Sequence, residues 1–138
     1  MKNKILLFLM IVFSFTLTAC KKKEERPLSE NEYYVYYINT ATDKLVENRY
    51  TASLPSNDMD GLVDELMSQF LKVPDDLEAL SALPDKVTYQ GFDRDGNILY
   101  LNFDTNYQGM DISREVLARA ALAKTLTQID GIEYISIR

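Results

Sequence analysis

Residues 87–103 read VTYQGFDRDGNILYLNF. Two runs rich in β-branched and aromatic residues, 87–92 and 97–103, flank Asp93-Arg94-Asp95-Gly96. Asp-Gly between such runs supplies the positive φ that a tight turn requires, so the stretch predicts a β-hairpin. Toward the C-terminus the period changes. SREVLARAALAKTLTQI (113–129) predicts a helix whose alanines at 118, 120, 121 and 123 permit close approach to a sheet. Asp111 or Ser113 can cap its start, and Gly131 stands where a helix end takes left-handed geometry. IEYISI (132–137) predicts the final strand.

Toward the N-terminus, the connector 75–86 contains LEALSALP, and Leu77, Leu80 and Leu83 are expected to cap the core. Residues 58–72 carry Leu62, Leu66 and Phe70 with Val63, Met67 and Leu71, the spacing of one helical face. Asp58 and Asp60 suit the positive end of that helix, and Pro74 ends it. YYVYYI (33–38) and LVENRYTAS (45–53) predict two paired strands. The resulting order, β-β-α-β-β-α-β, predicts a single α+β domain over 33–138: a mixed sheet with two helices packed on one face.

The segment before the domain has a different character. Lys2 and Lys4 precede an apolar run from Ile5 to Phe15 broken only by Ser14, followed by small residues, the layout of a secretory signal over 1–19. The run is too short for the about 20 apolar residues that span a bilayer. It ends in Leu17-Thr18-Ala19-Cys20, which holds the only cysteine of the 138 residues. This tetrad resembles a bacterial lipobox, in which signal peptidase II recognises Leu17, Thr18, Ala19 and Cys20 and cleaves before a diacylglyceryl-modified Cys20. Two acyl chains give stable anchoring where one is marginal, so the expected location is the outer face of the cell membrane. KKKEERPLSENE (21–32) is almost wholly polar and, with Cys20, reads as a disordered tether over 20–32. Fully extended it reaches roughly 40 Å.

Charge and composition exclude several functions. Asp and Glu number 21 against 15 Lys and Arg, with no acid before Glu24, and the net charge is −6. A domain this acidic is repelled by phosphate polyanions, so no nucleic-acid partner is expected. Histidine is absent, which removes the commonest general base and zinc ligand. No nucleophile elbow, phosphate-binding loop or dinucleotide fingerprint occurs. Asp93-Arg94-Asp95-Gly96-Asn97 only partly copies a calcium loop, because the glycine comes too early. No catalytic, cofactor-binding or metal-binding residue is therefore expected. Paired carboxylates acting on peptidoglycan, as in a small envelope hydrolase, are the alternative to a binding role. Tyr33, Tyr34, Tyr36 and Tyr37 fit a strand with one face on the core and the other at its rim, or else a sugar-stacking platform.

Three stretches together resemble the GerMN domain found in sporulation and germination proteins and in small lipoproteins of Gram-positive bacteria. They are Leu77-Glu78-Ala79-Leu80-Ser81-Ala82-Leu83-Pro84, the Asp95-Gly96-Asn97 turn running into Leu99-Tyr100-Leu101-Asn102-Phe103, and Glu115 with Ala121-Leu122-Ala123-Lys124-Thr125-Leu126-Thr127-Gln128 and Gly131-Ile132. Thr125-Leu126-Thr127-Gln128 is the most diagnostic. The resemblance implies a fold related to ring-building motifs and a non-catalytic module that docks against an envelope protein or further copies of itself. Thr125, Thr127 and Gln128 are expected to bond to adjacent backbone at a helix end rather than to form a binding site.

Overall fold

The computed structural model describes residues 26–138. The signal segment 1–19, Cys20 and the first residues of the tether lie outside the described residues. β1 (Glu32–Asn39) pairs antiparallel with β2 (Leu45–Thr51), so the first two strands stand where the aromatic and β-branched runs place them. The first helix, α1 (Met59–Phe70), buries Leu62, Val63, Leu66, Met67 and Phe70 along one stripe. Asp58 caps it, accepting from the Gly61 N–H at 3.1 Å. The hairpin comprises β4 (Tyr89–Asp95) and β5 (Ile98–Phe103). Its two-residue loop places Gly96 at φ +59° and keeps Asn97 out of the positive region, the pattern of a type II′ turn.

A short 3₁₀ turn (Thr105–Gly109) leads to α2 (Ile112–Leu126), capped by Asp111, which accepts from the Ser113 N–H at 3.0 Å. α2 carries the chain back so that β6 (Tyr134–Ile137) lies parallel to β5. A crossover through a helix is the ordinary way to join parallel neighbours. Ala118 and Ala121 are fully buried where α2 meets the sheet.

The architecture is α+β with two helices, as expected, but with a short strand β3 (Ala79–Leu80) the strands form two sheets, ordered β2-β1-β3 and β4-β5-β6, rather than one. The added strand corrects the reading of the leucine-rich connector. Its alternation exposes Leu80 and buries Ala79, and Leu77 before it is 94% exposed. Only Leu83 of the three leucines enters the core, alongside Ala79 and Ala82. Helix α2 also ends three residues earlier than the sequence predicts, so Gly131 belongs to the turn into β6 and not to the helix end. It still has φ +91°, and a Cβ there would stand 2.5 Å from Met59 Cε. One continuous core joins both helices and both sheets.

Candidate functional site

Antiparallel pairing directs the backbone groups of β1 alternately to its two edges. Those of the odd residues point to β2, as the bonds from Asn39 N–H to the Lys44 carbonyl and from Ala52 N–H to the Asn31 carbonyl show at the two ends of the ribbon. The even residues point the other way. There β3 covers only the far end, pairing Ile38 with Leu80, and Thr40 N–H reaches the Glu78 carbonyl. Tyr34 and Tyr36 have no strand on that side.

The end of α2 closes this gap. Gln128 Oε1 accepts from the Tyr34 N–H at 2.9 Å, and Gln128 Nε2 donates to the Tyr34 carbonyl at 2.7 Å. One carboxamide thus bonds Tyr34 as the peptide group of a neighbouring strand would. The same Nε2 donates back to the carbonyls of Lys124 and Thr125, which fixes the side chain against its own helix end. Thr125 Oγ1 accepts from the Tyr36 N–H at 3.1 Å. Thr125 is the sole fully buried polar side chain among the described residues, and buried polar groups are bonded almost without exception. Thr127 Oγ1 donates to the Ala123 carbonyl at 2.7 Å. All three residues of the diagnostic tetrad that can bond through their side chains therefore bond to backbone.

The tyrosines divide as alternation requires. Tyr33 and Tyr37 are buried, and Tyr37 donates its hydroxyl to the Gln69 carbonyl of α1. Tyr34 and Tyr36 lie on the other face, both half-buried and Tyr36 packed against the edge of the core, their ring centroids 6.3 Å apart. Arg49 lies 5.6 Å from the Tyr34 centroid and Lys124 4.9 Å from that of Tyr36, within cation–π range.

The acids are spent largely on architecture. Glu65 accepts from the Tyr50 hydroxyl and the Ser53 N–H at 2.7 Å and from the Leu54 N–H at 3.1 Å, tying α1 to the exit of β2. Burial opposes its ionisation, but these hydrogen bonds outweigh burial and hold its pKa below the usual carboxylate range. Nothing in the sequence beside Glu65 marks these partners, which lie 11 to 15 residues away. Asp104 is lowered chiefly by the Thr88 N–H and further by Asn106. Asp93 accepts from Asn102 at 3.0 Å across the hairpin.

Among the open grooves formed by the described residues, three bring polar side chains together. One of about 340 Å³ runs between Pro84, Met110 and Arg114, whose guanidinium is tied to the Ser81 and Ala82 carbonyls. A second, beside Tyr107, contains Glu115 bonded to Arg119. A third, of about 430 Å³, brings Glu30, Glu32 and Asp130 together beside Leu28 and Gln128. Arg26 holds Glu32 ionised, with its pKa lowered to about 2. A glycosidase acid requires the opposite displacement. No cluster of three or more metal-ligating side chains occurs among the described residues, and no described helix is long and apolar enough to cross a membrane. Leu17, Thr18, Ala19 and Cys20 lie outside the described residues.

The profile of the Germane family, described as sporulation and spore germination, matches residues 34–138. The chain belongs to the Germane family. Its fold is that of the first GerMN domain of the sporulation protein GerM from Bacillus subtilis, with a TM-score of 0.54 and 16% identity over 78% of this chain and 80% of that one. The tandem GerMN domains of the same protein superpose equally well, with a TM-score of 0.54 and 16% identity, and this chain, matched over 78% of its own length, spans 38% of theirs. No curated protein matches the chain in sequence. In this Germane domain the tetrad Thr125-Leu126-Thr127-Gln128 closes the edge of β1.

Proposed function

We propose that this Germane protein is a lipoprotein anchored to the outer face of the membrane through Cys20, and that its domain is a non-catalytic binding or assembly module of the cell envelope. Family membership supports a link to sporulation or germination. The observation that carries the non-catalytic reading is the use made of the polar residues. The tetrad closes a strand edge, and Glu65, Asp104 and Asp111 bond to backbone N–H groups. Among the described residues, the three carboxyls whose acidity is displaced, Glu32, Glu65 and Asp104, are all displaced downward, away from what a general acid needs.

What remains available is edge and apolar surface. β2, β4 and β6 are outer strands of their sheets. Tyr134 on β6 is 60% exposed, and Ile112 and Val116 stand one turn apart on the outside of α2. Unpaired edges and exposed apolar side chains are where further chains add. The test is a time course of the purified full-length protein on peptidoglycan, together with fractionation of Cys20→Ala. The proposal expects no release of soluble fragments and loss of Cys20→Ala from the membrane fraction or its retention as an uncleaved precursor. Fragment release that grows with time overturns the non-catalytic reading, and unchanged membrane association of a processed Cys20→Ala protein overturns the anchor.

A further inference from the structure

The chain enters the fold through a clasp. Arg26 grips Glu32 with both terminal guanidinium nitrogens, Nη1 donating to Oε2 at 2.8 Å and Nη2 to Oε1 at 2.6 Å. The Ser29 N–H donates to the same carboxylate at 2.9 Å, and Arg49 Nη2 donates to the Arg26 carbonyl. Glu32 opens β1 and its side chain is only 9% exposed. Residues 26–32, polar enough to read as free tether, are thus fastened to the sheet. Only residues 21–25 then separate Cys20 from the fold. Six Cα–Cα steps cover about 20 Å at most, half the reach of the unclasped segment.

That short lead ends beside one particular surface. Tyr34 and Tyr36 on β1 stand opposite Arg49 and Glu47 on β2, and cross-strand partners share a face. Arg49 covers the Tyr34 ring and Lys124 the Tyr36 ring. Arg49 and Lys124 thus set cations on the amphipathic rings of Tyr34 and Tyr36, with Arg26 at one end of the face, and Lys21, Lys22 and Lys23 lie just upstream in sequence, beyond Glu24 and Glu25. Tyrosine rings favour the headgroup level of a bilayer, and lysine and arginine favour anionic headgroups. Arg26 and Glu32 neutralise each other, so Arg49 and Lys124 are the cations this face presents, with Glu47 as the opposing acid. We propose that the outer face of the β1–β2 ribbon lies against an anionic bilayer surface, held there by the Arg26–Glu32–Arg49 clasp. The proposal rests on acylation of Cys20. It assigns the covered surface, and so leaves the α1 side pointing into the envelope.

Acylation removes the only natural thiol, so an introduced cysteine is uniquely labelled. Glu47→Cys places a fluorophore on the proposed bilayer face, and Ser68→Cys places one on the exposed side of α1, which packs on the opposite face of β1. The acylated full-length protein is reconstituted into vesicles of phosphatidylcholine and phosphatidylglycerol carrying a quencher on the lipid headgroup. Quenching at Glu47→Cys should exceed that at Ser68→Cys several-fold. Arg26→Gln, at a side chain 63% exposed and so without cost to the core, should shrink the difference by freeing the tether. Equal quenching at the two labels overturns the orientation, and an undiminished difference in Arg26→Gln overturns the clasp. Mass spectrometry of the Cys20 peptide separates these failures from failure of the anchor, because an unacylated Cys20 refutes both readings.

Discussion

Replacing Gln128 by alanine should destabilise the domain through Tyr34, a residue 94 positions away in sequence. The substitution removes the acceptor for the Tyr34 N–H and the donor to its carbonyl, at 2.9 and 2.7 Å. Each intramolecular hydrogen bond is worth about 1 kcal/mol net, more if a group is left dry. The site is half-buried, so water regains part of the loss, and the expected cost is about 2 kcal/mol. For a domain of this size that corresponds to a fall in Tm of roughly 10 °C or a shift of roughly 1 M in the urea midpoint. Gln128→Glu separates the edge mechanism from simple loss of packing. One carboxylate oxygen can still accept from Tyr34 N–H. The other replaces a donor with an acceptor facing the carbonyls of Tyr34, Lys124 and Thr125, so Glu should be at least as harmful as Ala. Hydrogen exchange read by NMR should show the Tyr34 amide losing protection in both variants. A loss below about 0.5 kcal/mol with unchanged Tyr34 protection, or a glutamate variant as stable as wild type, would refute the assignment.

Further outcomes follow from other contacts. Thr125→Val keeps shape but removes the oxygen that accepts from Tyr36 N–H in a fully buried setting. It should cost about 1–2 kcal/mol by chemical denaturation. Gly131→Ala forces a β-carbon into a φ of +91° and against Met59 Cε, and thermal melting should register about 1–2 kcal/mol. Glu32, Glu65 and Asp104 have lowered pKa values in the folded state. Their stabilisation is therefore fully present above the unfolded carboxylate pKa and is lost as pH falls through the folded values. For Glu32 the window runs from 4.5 down to about 2, and across it NMR should show the segment 26–31 detaching before the core unfolds.

The elements that sequence reveals are those decided locally. The hairpin is legible because Gly96 alone can take the turn geometry cheaply between two strand-forming runs. Helix α1 is legible from a single apolar stripe. The leucines of the connector mislead because their three-residue spacing imitates a helical face, whereas β3 alternates and points Leu80 outward. The division into two sheets is invisible for another reason: strand partners are chosen across long separations, and alternation fixes a face without naming a neighbour. The closing of the β1 edge falls between these cases. The TLTQ tetrad is recognisable as a family feature, and bonding to backbone is what a buried threonine at a helix end requires. That the backbone belongs to Tyr34 and Tyr36 follows only from the crossover that lays α2 beside β1. Glu65 gave no comparable clue, since an acid on a helix is ordinarily solvated.

A domain whose diagnostic residues are committed to its own strand edge has to act through the surface it leaves open. Chemical cross-linking of the full-length protein in intact envelopes, read by mass spectrometry of the joined peptides, tests this most directly. Discrete adducts are expected, to a second copy or to one envelope protein, with cross-links mapping near Tyr134, Ile112 and Val116. A chain recovered only as an unmodified monomer under conditions that cross-link its neighbours would contradict it.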